Sequence, residues 1–104
     1  MAHGLFQGLT SSSSPHTLIE RDSGKGNVSC MTICNAHASN SATIKLYISN
    51  GSGAATGDFS ILENFTVPAG ASFQITEGVS FNDQEYSLLL AIDEASVDIN
   101  VIIK

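Results

Sequence analysis

Phe59–Ile75, FSILENFTVPAGASFQI, is the stretch whose reading decides the fold. Phe59, Ile61, Phe65 and Val67 share one parity before a Pro68-Ala69-Gly70 corner, and Phe73 and Ile75 alternate again beyond it. Strand side chains alternate between faces, so each set is expected to bury one edge of a core. Proline carries no backbone donor and fixes its φ, while glycine tolerates positive φ, so the ladder stops and turns here. The expected product is a strand that ends, bends and re-enters a sheet.

The same period recurs on both sides of this stretch. Thr43–Ile48 alternates most cleanly, with Ile44, Leu46 and Ile48 inward and Thr43, Lys45 and Tyr47 outward. Val97, Ile99, Val101 and Ile103 share one face of the last segment, opposed by Asp98, Asn100 and Lys104. Val28–Asn35 and Tyr86–Ile92 are apolar on both parities, the pattern of strands central to a sheet. His16–Arg21 reads as a short first strand, and Asp22–Asn27, His37–Ser41 and Asp93–Ala95 as turns. Two longer connections are expected, Asn50–Asp58 and Glu77–Glu85; the second carries Val79 and Phe81, which would cover the sandwich end. With about seven or eight strands and no helix, residues 17–104 are expected to form an all-β domain. Its class would be an antiparallel β-sandwich, Ig-like or jelly-roll-like.

Residues 1–16 read as a flexible N-terminal arm outside the sheet. Gly4 and Gly8 break any helix, Ser11–Ser14 is a polar run and Pro15 punctuates its end. Such an arm is either disordered or ordered against a neighbouring subunit, with Leu5, Phe6 and Leu9 as its apolar contacts.

Composition narrows the function classes. A chain of 104 residues, 42% hydrophobic, is long enough for one domain with a core of its own. Four basic residues against ten acidic ones give a net charge of −6, the wrong sign for a phosphate-backbone binder. The start MAHGLFQGL lacks the basic and apolar regions of a secretory signal, so synthesis in the cytoplasm is expected. No apolar run approaches the ~20 residues of a membrane span. The three Asn-x-Ser/Thr matches at Asn27, Asn50 and Asn64 read as chance ones. Cys30 and Cys34 would lie about 13 Å apart along a strand, beyond disulfide reach, and read as free thiols.

No constellation points to catalysis. His3, His16 and His37 fall in the arm or at turns, without evident partners, and no serine sits on a strand–turn–helix elbow. Asn82–Glu85 and Asp93-Glu94 offer oxygen ligands of the kind calcium takes, without the spacing of a calcium loop. No zinc set, metal or cofactor is expected. Tyr47 and Tyr86 are the aromatic candidates for stacking on a sugar. The residues expected to make contacts are Leu5, Phe6, Leu9, Asn50, Asp58, Val79 and Phe81.

In order along the chain stand Ile33-Cys34-Asn35, the alternating strand Ala42–Ile48, and Asn64–Phe73 with its Pro-Ala-Gly corner. A loop, an apolar strand and a final alternating strand follow. This succession resembles small structural β-sandwich proteins of tailed-bacteriophage virions over most of residues 17–104. Members commonly carry a proline-glycine corner before the first long strand; here that turn is Asp22–Gly26, without proline. The resemblance implies a non-enzymatic virion component, foremost a capsid decoration or cement protein on the capsid exterior. The implied partners are the major capsid protein or other virion proteins, and copies of the chain itself in a homo-oligomer, a trimer before a monomer. A neck or tail component is the alternative, as is a module recognising a host-surface glycan or protein through Asn50–Asp58 and Glu77–Glu85. On this reading, deleting residues 1–14 abolishes particle binding and leaves the domain folded.

Overall fold

The computed structural model describes residues 4–12, 15–22, 24, 26–50, 58–76 and 79–104. Alternation becomes strands nearly throughout: β1 (Gly4–Leu9), β2 (His16–Ile19), β3 (Asn27–Val28), β4 (Met31–Asn35), β5 (Ala42–Ser49), β6 (Asp58–Val67), β7 (Ser72–Ile75), β8 (Val79–Ser80), β9 (Ser87–Ile92) and β10 (Ile99–Ile103). Eight of them build two four-stranded sheets: sheet A in the order β1-β10-β4-β7, and sheet B in the order β2-β9-β5-β6. The two-residue strands β3 and β8 pair with each other. All pairings are antiparallel, and they nest: β1 with β10, β2 with β9, β4 with β7, β5 with β6. A long hairpin rolled up so that successive strand pairs fall into alternate sheets has this connectivity. The sandwich is therefore a jelly roll, the second of the two expected arrangements.

The core lies between the sheets. Met31 and Ile33 of β4, Ile99, Val101 and Ile103 of β10, Ile44 and Leu46 of β5, and Leu88, Leu90 and Ile92 of β9 are buried. Ile48 and the half-buried Phe6, Leu9, Leu62, Phe73, Ile75 and Phe81 pack against them. Val28–Asn35 is not one strand. It breaks at Ser29–Cys30, whose N–H groups both donate to the Lys104 carbonyl while Lys104 N–H donates back to Cys30. The break resets the phase, so Val28 and Met31 both point inward. Cys30 and Cys34 are free, half-buried thiols.

Residues 4–9 are not part of an arm. They form the edge strand of sheet A, with Gly4, Leu5, Phe6 and Leu9 opposite Ile103, Ile102, Val101 and Ile99. Three residues of β1 span two of β10 between Phe6 and Leu9, a one-residue bulge. Gly8, at φ 68°, supplies the positive φ that such a bulge needs. Because of it, Phe6 and Leu9 both turn inward although they differ in parity. That spacing hid the strand in the sequence.

The Phe59–Ile75 stretch does bend at Pro68–Gly70, and it re-enters the opposite sheet: β6 is an edge of sheet B and β7 an edge of sheet A. Its burial departs from the expected pattern. Val67 is buried, but Phe59, Ile61 and Phe65 are 53%, 38% and 38% exposed. Two causes act together. β6 carries an extra residue at two points of its pairing with β5, and Asn64 takes φ 51° at the first of them. In addition, β6 has ten residues and β7 only four, so the half of β6 away from the corner overhangs sheet A.

Asn35 fastens the corner to the end of β4. Fully buried, it donates from Nδ2 to the carbonyls of Val67 (3.1 Å) and Asn40 (2.8 Å), and its Oδ1 accepts from His37 N–H (3.1 Å). Its backbone accepts from Gly70 N–H and donates to the Ala71 carbonyl. The two short motifs Ile33-Cys34-Asn35 and Pro68-Ala69-Gly70 are thus one hydrogen-bonded unit. Gly70 sits at φ 75° with open space where a Cβ would be. Gly70→Ala is accordingly expected to cost only the left-handed backbone penalty, about 1 kcal/mol, in a urea titration.

Candidate interaction surface

The outer face of sheet A is built by alternation. Where Phe6, Val101, Ile33 and Phe73 turn inward, their neighbours turn out. One rung runs across all four strands as Leu5, Ile102, Thr32 and Gln74, paired in register; a second runs Asn100, Cys34, Ser72. Gly8 N–H donates to Asn100 Oδ1 (3.1 Å), so the bulge of β1 is pinned to the second rung. None of the residues in the four strands is charged, although the chain as a whole carries −6. Toward its β1 edge the face carries two apolar side chains left open to solvent, Leu5 at 80% and Ile102 at 42% exposure. Beside them lies a shallow, open depression of ≈ 280 Å³ lined by Leu5, Phe6, Gln7, Asn100, Val101 and Ile102. It offers amide, aliphatic and aromatic groups and no titratable one.

The outer face of sheet B differs. Lys45 lies 3.9 Å from the Glu63 carboxylate and 4.8 Å from the Tyr47 ring centroid, and Glu63 also accepts from Ser60 Oγ. Tyr47, placed outward by its parity, is 9% exposed. Tyr86 is half-buried with its ring edge-on to Phe59 at 5.8 Å.

The residues singled out in the sequence are not brought together. Leu5 faces solvent, while Phe6 and Leu9, expected beside it as contacts, pack against the core. The Asn50 carbonyl accepts from Arg21 Nη1, and Asp58 opens β6 opposite Ser49; residues 51–57 between them lie outside the described residues. Val79 pairs with Val28, and Phe81 is half-buried on the core with its N–H donating to the Gly26 carbonyl; residues 77–78 lie outside the described residues. Ile102 and Asn100 were not anticipated. Their signal was there: Ile102 is an apolar residue on the polar parity of the last strand.

The acidic turn is occupied internally. Asp83 Oδ2 accepts from Gly24 N–H, the Asp83 carbonyl from Asp22 N–H, and Asn82 Oδ1 from Gln84 N–H. Among the described residues no three His, Cys, Asp or Glu side chains converge to hold a metal ion. His16 bonds the Thr10 carbonyl through Nε2, and His37 Nδ1 accepts the N–H groups of Ser39 and Asn40. His3 lies outside the described residues. No helix among the described residues is long and apolar enough to cross a membrane. No protein-family model matches the chain, and no curated protein matches it either.

Proposed function

We propose that the chain is a non-enzymatic structural protein of a phage particle, a capsid decoration protein that lies on the capsid exterior as a small oligomer. The outer face of sheet A rests on the lattice of the major capsid protein. The observation that carries this reading is the uncharged four-strand face with the solvent-exposed pair Leu5 and Ile102 toward its β1 edge. A surface leucine held in a strand has little freedom left to lose on docking, and short Thr, Ser, Cys and Asn side chains around it add little ordering cost. A face without charge also lets a −6 chain approach a neighbour without opposing carboxylates. The jelly roll serves viral capsid domains among other uses, which agrees with this reading and does not by itself establish it.

The test is co-sedimentation of the purified chain with phage shells lacking it. Saturable binding is expected, and Leu5→Asp combined with Ile102→Asp should weaken it at least about tenfold. Both side chains are exposed, so the variant's unfolding midpoint should stay within about 0.5 kcal/mol of the parent. Parent and variant binding equally well would remove the face from the proposal. A parent chain that ignores the shells would remove the particle.

A further inference from the structure

We infer that the depression beside Leu5 and Ile102 is a socket for one tyrosine side chain of the protein on which sheet A rests, with the Asn100 amide selecting the tyrosine oxygen. This rests on the docking reading above and names what the face recognises. Asn100 stands two residues along β10 from Ile102, on the same face, and lines the depression. Of its two amide atoms only the oxygen can accept, so the bond from Gly8 N–H to Oδ1 (3.1 Å) fixes which way the amide is turned. The Nδ2 hydrogens have no acceptor among the described residues. A donor is thus held in place beside apolar surface before anything binds.

Size, charge and the direction of the hydrogen bond select the occupant. At ≈ 280 Å³ the depression falls below the roughly 300–1,000 Å³ of a small-molecule pocket and holds one large side chain. No residue in the four strands is charged, so a carboxylate, ammonium or guanidinium seated here is desolvated without a partner. The uncharged side chains with large apolar area differ in their polar atom. Leucine, isoleucine and phenylalanine leave the Nδ2 donors facing carbon, and tryptophan brings only a donor of its own. A tyrosine oxygen accepts, and the flat ring covers Leu5 and Ile102 with few bonds to order. Gln7, exposed and without a bond of its own among the described residues, discriminates less, because ordering its amide costs about what a new hydrogen bond returns.

The chain's own tyrosines do not fit. Tyr47 is 9% exposed, and Tyr86 is half-buried with its ring against Phe59. The occupant therefore belongs to a different protein and not to a second copy.

Titration of the full chain with N-acetyltyrosinamide, followed by NMR, is the test, with the phenylalanine, tryptophan and O-methyltyrosine amides alongside. Weak, saturable binding of the tyrosine amide is expected, with shifts gathered at the Asn100 side-chain amide and the methyl groups of Leu5 and Ile102. The phenylalanine and tryptophan amides should bind at least about fivefold more weakly, the return on one hydrogen bond. Asn100→Asp keeps an oxygen for Gly8 N–H and removes both donors. It should bind the O-methyl amide, whose ether oxygen can only accept, at least about fivefold more weakly than the parent, with an unchanged unfolding midpoint. Tyrosine and phenylalanine amides binding equally would overturn the inference. So would shifts that gather elsewhere or never appear, or an O-methyl amide indifferent to Asn100→Asp. The titration uses no shells, so the two readings fail separately. Shell binding without a tyrosine preference removes the socket and leaves the docking face; a tyrosine preference without shell binding removes the particle and leaves the socket.

Discussion

Asn35→Asp is expected to destabilise the fold by about 3–5 kcal/mol, the range for leaving a charge buried and unpaired. The side chain has no exposure, and its Nδ2 donates to two carbonyls on different segments, Val67 at the end of β6 and Asn40 in the turn before β5. A carboxylate keeps the bond from His37 N–H but turns both donors into acceptors facing acceptors. Against a typical total of roughly 5–15 kcal/mol, this loss is a large part of the stability. In urea it should lower the midpoint by about 2 M or more for a domain of this size. Acid distinguishes the cause. Burial raises the introduced carboxyl's pKa in the folded state, so folding favours its protonated form. The deficit should therefore shrink as pH falls toward 4, because the protonated group regains one O–H donor. Asn35→Ala loses the same bonds without a charge; its deficit, about 3 kcal/mol from orphaned carbonyls, should be independent of pH over that range. An Asn35→Asp midpoint equal to the parent's would mean that the amide does not hold the corner.

Asn35 was visible in the sequence only as the last letter of a short motif, and nothing in the spacing linked it to a glycine 35 positions later. Buried polar groups are chosen by partners distant along the chain, so local patterns do not announce them. Alternation, by contrast, was readable wherever a strand ran without interruption. β5 and β10 turn inward the residues their parity assigned to the core, Ile48 being only half-buried, and β4 and β9 are central as their composition implied. The reading failed where one extra residue resets the phase. That happens at Gly8 in β1, between Thr17 and Ile19 in β2, at Ser29–Cys30, and twice in β6. A bulge costs one position and flips every residue beyond it. Phe59 and Phe65 kept inward parity only because two bulges cancel, and Phe59 stayed more exposed than Phe65 because only Phe65 meets a β7 side chain, Phe73. The candidate face suffered differently. Leu5 was picked out for the wrong reason, as part of an arm, and its partner Ile102 was passed over because the last strand looked fully explained by its inward set.

Removing residues 1–9 is expected to destabilise the domain by about 2–4 kcal/mol, not to leave it intact. The sequence reading treated this segment as dispensable for folding; the ladder to β10 reverses that expectation. Phe6 and Leu9 pack against the core, and partial burial of two such side chains stabilises by about 2–4 kcal/mol. The backbone hydrogen bonds of β1 add little beyond this, since ordering its residues costs about as much as the bonds return. The truncated chain should show a urea midpoint lower by roughly 2 M, and it should aggregate on standing. The second effect follows from topology. Without β1, strand β10 becomes the edge of sheet A, and its alternating Ile99, Val101 and Ile103 lie next to unpaired backbone groups. Phe6→Ser in the full chain keeps that edge covered, so it should lower the midpoint by about half as much without aggregation. A truncated chain with the parent's midpoint and solubility would show that β1 is an appendage after all. For binding experiments the consequence is direct. Loss of shell binding on truncation would report an unfolded domain as readily as a lost contact, and only substitutions at exposed positions such as Leu5 and Ile102 separate the two.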